Sequence, residues 1–292
     1  MRTIILNFIR LLFFFKPLEI FLLKKTSRKK LNSFWTKFPP NHYQYKKRSI
    51  RKVERNGINY QLDLNDIVDW TVYYDIIEPA RITLFNNIKS GDIIFDIGAN
   101  IGETAMNFAK LATNEGFVYS FEPDKHNYSR NLNNMSKNEF DNIELINKGM
   151  GDACGSFSML NTKNNNAGMN KIIPTKEGIK NNSKISKIKV TTIDTFIQKN
   201  GIEKVDFIKI DVEGFEYKVL KGGENCISKF EPTFFIELDN TLLKEQNSSA
   251  KILISFLEEK MYKIKNAATL RPVTSTDNFE KCHFDIICTK GT

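Results

Sequence analysis

From residue 93 onward the chain repeats one pattern: a short apolar run, a polar or glycine-containing turn, then apolar positions at helical spacing. The runs predict strands at Ile93–Ile97, Phe117–Phe121, Ile143–Asn147, Asp206–Ile210, Thr233–Leu238 and Phe284–Cys288. Helices are predicted over Gly102–Ala112, Asp124–Lys137, Thr192–Lys199, Phe215–Leu220 and Ala250–Lys260, with Asn114-Glu115-Gly116 and Gly222-Gly223 as stop signals. Strands separated by helices imply an α/β fold built on a doubly wound, mostly parallel sheet. Upstream, Ile58, Tyr60 and Leu62 alternate as a short strand, and Tyr74–Ile88 reads as helical before the turn Ser90-Gly91-Asp92. Segment 161–186 breaks the rhythm: it is rich in Asn and Lys and carries Gly168, Pro174 and Gly178. A stretch of that length inside a domain is expected to be a lid, a binding loop or a disordered insert.

The first 30 residues follow a different pattern. Residues 4–23 are mostly apolar, but Arg10, Lys16, Pro17 and Glu19 interrupt them, so no uncharged run reaches the ~20 residues of a spanning helix. A cleaved signal peptide is not expected, because the run carries charges and no small-residue cleavage site follows. On a helical wheel Arg2, Thr3, Asn7 and Arg10 share one narrow side, and Lys24, Lys25, Arg28, Lys29 and Lys30 come directly after. An apolar helix trailed by a polybasic cluster fits peripheral contact of residues 1–30 with an anionic membrane. The same pattern also fits a helix packed on protein, or a nucleic-acid arm in which Trp35, Tyr43 and Tyr45 interleave with the bases.

Charge sharpens this division. The 292 residues carry a net +9, yet residues 1–55 alone hold 15 Lys/Arg against two acids, a net +13. The remainder holds 28 basic and 32 acidic residues, a net −4. The division expected is therefore a basic amphipathic extension, 1–55, and a catalytic body, 56–292. A hydrophobic content of 41% with 12% aromatics excludes a disordered chain. Cys154, Cys226, Cys282 and Cys288 lack paired short spacings, which suggests a reducing, cytoplasmic compartment; a structural metal is not expected, because Cys282-His283 with Cys288 has no second ligand pair.

The chemistry is expected where parallel strands end, since ligands sit beyond their carboxyl ends. Acids cluster there: Asp96, Glu122, Asp152, Asp211, Glu213 and Glu237. The first of them opens Asp96-x-Gly98-x-x-x-Gly102, at the mouth of a helix whose backbone N–H groups favour a small polar ligand. A dinucleotide fingerprint needs glycine where Asn100 stands, so a pyrophosphate cradle is disfavoured and S-adenosylmethionine fits better. Glu122 lies 24 residues past Gly98, near the place of an acid that accepts ribose hydroxyls. Asp152 is a candidate for an adenine amino group, and Asn100 and Thr104 for the methionine tail.

FDIGANIGET (95–104), FEP (121–123), GMGD (149–152) and DFIKIDVEGFEYKVLKG (206–222), in that order, resemble the FkbM family of S-adenosylmethionine-dependent methyltransferases. NAGM (166–169) and TTIDTF (191–196) are similar too, and the resemblance runs from about Tyr73 to Leu238. It implies a Rossmann-like class I methyltransferase fold and O-methylation of a saccharide, glycolipid or related metabolite. Carried over residue by residue, it places Asp96, Gly98, Asn100 and Gly102 at the methionine side, Glu122 at the ribose and Asp152 at the adenine. Residues 1–55 inherit nothing from it.

Methyl transfer to an aliphatic hydroxyl needs in-line alignment and a proton acceptor. Asp211 or Glu213 is expected to be that base or to orient the acceptor, with Glu237 in reserve; no metal is demanded by the spacing. His126 and His283 are read as bystanders, and His42 lies in the extension. Enzymes that methylate exocyclic base amines carry an Asn/Asp-Pro-Pro-aromatic turn where this chain has Asp211-Val212-Glu213-Gly214. Nucleic acid is therefore disfavoured as acceptor, while RNA ribose methylation and a non-catalytic cofactor-binding scaffold stay open as alternatives.

Overall fold

The computed structural model describes residues 2–31, 33–160, 171–173 and 185–291. NAGM, 166–169, and most of segment 161–186 lie outside the described residues. The chain forms two compact units, one running through Pro79 and the other beginning at Ala80.

The larger unit is a seven-stranded sheet. In chain order its elements are β1 (Ile93–Ile97), α1 (Glu103–Ala112), β2 (Phe117–Phe121), α2 (Lys125–Met135), β3 (Ile143–Ile146), α3 (Ile193–Asn200), β4 (Phe207–Ile210), α4 (Glu216–Lys221), α5 (Glu224–Phe230), β5 (Thr233–Asp239), α6 (Asn240–Glu245), α7 (Ala250–Glu259), β6 (Tyr262–Asn266) and β7 (His283–Lys290). The spatial order is β6-β7-β5-β4-β1-β2-β3. Strands β1 to β5 are parallel, whereas β7 runs antiparallel to both β5 and β6. This is the Rossmann-like class I methyltransferase arrangement, with the chain reversing its direction across the sheet between β1 and β4.

Alternation along the strands builds a core on each face. Phe95 and Ile97 pack with Phe121, Phe196 and Val219, while Ile94 packs with Val118 and Phe207 on the other face. There α1 presents Ala105, Phe108, Ala109 and Ala112, the i, i+3, i+4, i+7 stripe of a helix lying on a sheet. Asp124 caps α2, accepting from His126 N at 3.0 Å and Asn127 N at 2.9 Å.

The region after β3 departs from expectation. Lys171–Ile173, Gly155–Leu160, Ile185–Thr191 and Gly149–Met150 form, in that order, a second four-stranded sheet. The described part of 161–186 is thus strand rather than loop, and its apolar face (Met159, Ile172, Ile188, Val190) packs with Phe215. Tyr262–Asn266 was not expected as a strand either; it is an edge strand in which Lys263 and Lys265 alternate with buried Tyr262 and Ile264.

In the smaller unit, Ile50–Arg55 pairs antiparallel with Ile58–Asp63. Asn56 and Gly57, with φ of 52° and 72°, make the tight turn between them. The expected boundary after residue 55 falls inside this hairpin, so residues 56–79 belong to the compact unit of the extension. The helix read over Tyr74–Ile88 is shorter than expected: only Pro79–Asn86 of it is helical, while Asp75, at φ 52°, follows the helix Ile67–Tyr73 and Ile76–Ile77 is a short strand. Helices Arg2–Leu11 and Lys16–Thr26 precede the hairpin. Glu19 is buried, accepting from Arg51 Nε at 2.8 Å and from the Tyr73 hydroxyl at 2.7 Å. Among the described residues no helix is long and apolar enough to cross a membrane.

Candidate active site

Strand β1 ends in a turn that is held from two sides. Gly98 N and Ala99 N both donate to Phe121 O at 3.0 Å, fixing the turn to the end of β2. Gly98 has φ 85°, and a Cβ there would lie 1.9 Å from the carbonyl oxygen of Asp211. The ends of β1 and β4 therefore meet backbone to backbone, and only glycine allows it. Asn100 follows at φ 49°, a left-handed position that asparagine tolerates. Gly102 caps α1, and Thr104 is buried in that helix's first turn.

Asp96 is fully buried at the centre of this corner, where its carboxylate faces the Lys209 ammonium and the Thr104 hydroxyl. Burial raises its pKa; the ammonium of Lys209 and the Thr104 hydroxyl offset this only in part. Lys209 sits on β4 directly beside Asp96 in the sheet register. Its Nζ lies 3.4 Å from Asp96 Oδ1 and 3.2 Å from Asp211 Oδ2, and donates to Gly98 O at 2.9 Å. Burial pulls the lysine pKa down, but Asp211 and Asp96 more than reverse this and raise it, so the ammonium persists. One buried cation thereby joins the acid of β1, the glycine turn and the acid after β4. Sequence reasoning passed over Lys209. The signal was present, because a lysine in the middle of Phe207–Ile210, a strand buried on every residue, needs a partner.

Glu122, at the end of β2, is 5% exposed and uses both oxygens: Oε2 accepts from Asn100 N and Oε1 from Asp124 N, each at 2.8 Å. Burial raises its pKa to about 8 against the lowering effect of those two N–H groups. A carboxylate has roughly four acceptor sites. Two are spent on the backbone, which leaves two for a neighbouring diol.

The turn after β4 carries the other acids. Glu213 adopts φ 56° and Gly214 φ 98°. Glu216, a second residue missed in the sequence, is 1% exposed and folds back over them, its Oε1 accepting from Val212 N at 3.1 Å and Gly214 N at 2.9 Å. Its place two residues after Gly214, in the first turn of α4, is what lets it clamp the turn. Burial raises Glu216 to about 7. Burial, then Asp211 and Glu216, raise Glu213 to about 8. Glu237, inside β5 rather than at its end, is raised to about 10 by burial and by Asp211, Glu213 and Glu216. The left-handed Glu213 is a strained non-glycine position of the kind found at functional turns.

The structure thus gathers Asp96, Gly98, Asn100, Gly102, Thr104 and Glu122 around one turn, and Asp211, Glu213 and Glu237 around the next, with Lys209 bridging them. Asp152 stands outside this buried network, exposed on the turn after Gly149–Met150. Among the described residues no cluster of three or more His, Cys, Asp or Glu is arranged to hold a metal ion. His283 is occupied with Asp239, Nδ1 to Oδ2 at 3.1 Å.

An S-adenosylmethionine fits what these residues lack. The unpartnered Oδ1 of Asn100 calls for a donor such as an ammonium tail. The spare acceptor sites of Glu122 call for a diol.

The family model of the methyltransferase FkbM domain matches residues 96–264, more than half of the chain. A hexuronic acid methyltransferase, AglP of Haloferax volcanii, is 26% identical over 144 residues, which is 49% of this chain and 55% of that protein. Among solved structures, methyltransferase FkbM from Methylobacillus flagellatus is 18% identical with a TM-score of 0.45, covering 75% of this chain and 54% of that one. A SAM-dependent methyltransferase from Aquifex aeolicus is 12% identical with a TM-score of 0.40, covering 73% and 88%. This chain spans about half the length of the curated relative and of the first of these structures.

Proposed function

The chain belongs to the FkbM methyltransferase family, and on that premise we propose that it transfers a methyl group from S-adenosylmethionine to a hydroxyl of a saccharide, glycolipid or related metabolite. The observation that supports this reading is the Lys209 bridge, which joins Asp96 of β1 and Asp211 of the turn after β4 through one buried cation. The similarity to a hexuronic acid methyltransferase supports a sugar-type acceptor. A cytoplasmic setting suits four free cysteines, two of them buried.

Asp96, Asn100, Gly98, Gly102 and Thr104 would hold the methionine portion, Glu122 the ribose and Asp152 the adenine. When bound, the cofactor supplies an electrophilic methyl on a sulfonium. Asp211, fixed by Lys209 at 3.2 Å and half exposed, orients the acceptor hydroxyl. Glu213 takes the proton: a carboxyl raised to about 8 is a better base near neutral pH than an ordinary one. Glu237, raised to about 10, stays protonated at pH 7 and acts as a hydrogen-bond donor at the same corner.

The test is transfer of a labelled methyl group to glycan, lipid and RNA fractions. Label in the glycan or glycolipid fraction is expected. Glu213→Gln is expected to lower turnover by roughly 10²–10⁴ while S-adenosylhomocysteine still binds, and Asp211→Asn to lower it with a raised acceptor KM. Label confined to RNA, or full turnover in Glu213→Gln, would refute the acceptor class or the base respectively.

A further inference from the structure

The smaller unit leaves several large apolar side chains exposed. Phe8, Leu12, Phe15 and Phe34 are 74%, 60%, 65% and 64% exposed, and Phe21 and Leu31 are exposed as well. The helix Lys16–Thr26 is inverted relative to an ordinary surface helix: it buries Glu19, Leu22 and Thr26 while Leu18, Ile20 and Phe21 face solvent. Glu19 is held inward by Arg51 and Tyr73, so this orientation is built in rather than incidental. An exposed apolar surface of this extent marks an interaction site.

The chemistry around it says with what. Lys24, Lys25, Arg28, Lys29 and Lys30 are all exposed beside the apolar face. Lys25 Nζ lies 5.6 Å from the Phe21 ring and 5.5 Å from the Trp35 ring, and Trp35 in turn packs edge-on against Phe21 and Phe34. Apolar side chains with an aromatic rim and a cationic border match the layering of a bilayer surface: acyl chains, then the headgroup boundary, then anionic phosphates. The two helices have 10 and 11 residues, far below a span, so the segment would lie on the surface. A second copy of the chain is a poor occupant, because it would set two segments of net +13 against each other. Nucleic acid would use the cations but leave Phe8, Leu12 and Phe15 in water.

We propose that the apolar face of residues 8–31, together with Phe34, forms a docking face for an anionic lipid bilayer. This goes beyond methyl transfer and does not depend on it. The test uses the full chain with sedimenting vesicles of phosphatidylcholine, with and without one part in three of phosphatidylglycerol. Binding to the anionic vesicles is expected, weakening as salt rises and weakening about fivefold for each of Lys24 and Lys29 changed to Gln. The triple variant Phe8→Ser, Leu12→Ser, Phe15→Ser is expected to bind at least tenfold more weakly while keeping the thermal melt and S-adenosylhomocysteine affinity of the parent chain, since all three side chains are already exposed. Absence of vesicle binding, equal binding to neutral vesicles, or an unaffected triple variant overturns the proposal. So does a dimer in light scattering that the triple variant dissolves, or tighter retention by single-stranded RNA than by vesicles.

Discussion

Replacing Glu122 by glutamine isolates one proton. The carboxyl is buried, its pKa is raised to about 8, and two backbone N–H groups already occupy one acceptor site on each oxygen. Two further donors from a ribose diol would favour the ionised form decisively. Binding must then expel whatever proton the free protein carries. With a pKa of about 8, the free carboxyl is about 0.9 protonated at pH 7 and about 0.1 at pH 9. S-adenosylhomocysteine should therefore release about 0.9 proton from Glu122 at pH 7 and almost none at pH 9, and its affinity should rise about tenfold between the two. Calorimetry in two buffers of different ionisation enthalpy reads the proton count directly. Glu122→Gln cannot ionise, so this component vanishes. The variant also turns an amide N–H₂ toward one backbone N–H, which weakens binding at pH 9 by roughly 10–100-fold. The wild-type protein binding equally at pH 7 and pH 9, or the variant releasing as many protons as the wild type, would refute the reasoning.

Three more outcomes are expected. Lys209→Met leaves Asp96 buried with no cation, which should cost about 3–5 kcal/mol and lower the melting temperature by roughly 10 °C in calorimetry; an unchanged melt would deny the bridge its structural role. Gly98→Ala forces a methyl group against the Asp211 carbonyl at a left-handed φ, and should weaken S-adenosylhomocysteine binding roughly a hundredfold with little change in circular dichroism. Glu237 is raised in the folded state, so the folded protein holds its proton longer than the unfolded chain, and stability falls as pH climbs from the ordinary carboxylate range toward 10. Glu237→Gln should flatten that slope by about 1 kcal/mol per pH unit in urea melts at pH 6 and 8; identical slopes would contradict the assignment.

Much of the larger unit was legible because its signals are local. Ile93–Ile97 shows its core faces by alternation, and Asp124 announces α2 by the capping chemistry that the structure displays. The acids at the strand ends were legible for the same reason: parallel strands deliver their carboxyl ends to one edge. What escaped depends on pairing at a distance. Gly155–Leu160 and Ile185–Thr191 carry only a few apolar residues among Ser and Lys, and become strands by finding each other across 161–184. The hairpin joining residues 50–55 to 58–63 moved the edge of the smaller unit past residue 55. Lys209 and Glu216 look like solvent-facing charges until the sheet register and the Gly214 turn bury them.

The contact between the Gly98 backbone and the Asp211 carbonyl has a mechanical meaning. No side chain cushions the two loops, so neither can shift without pushing the other. The interval between the turns after β1 and β4 is thereby set by main-chain contact, and a side chain added at Gly98 is what would force it open.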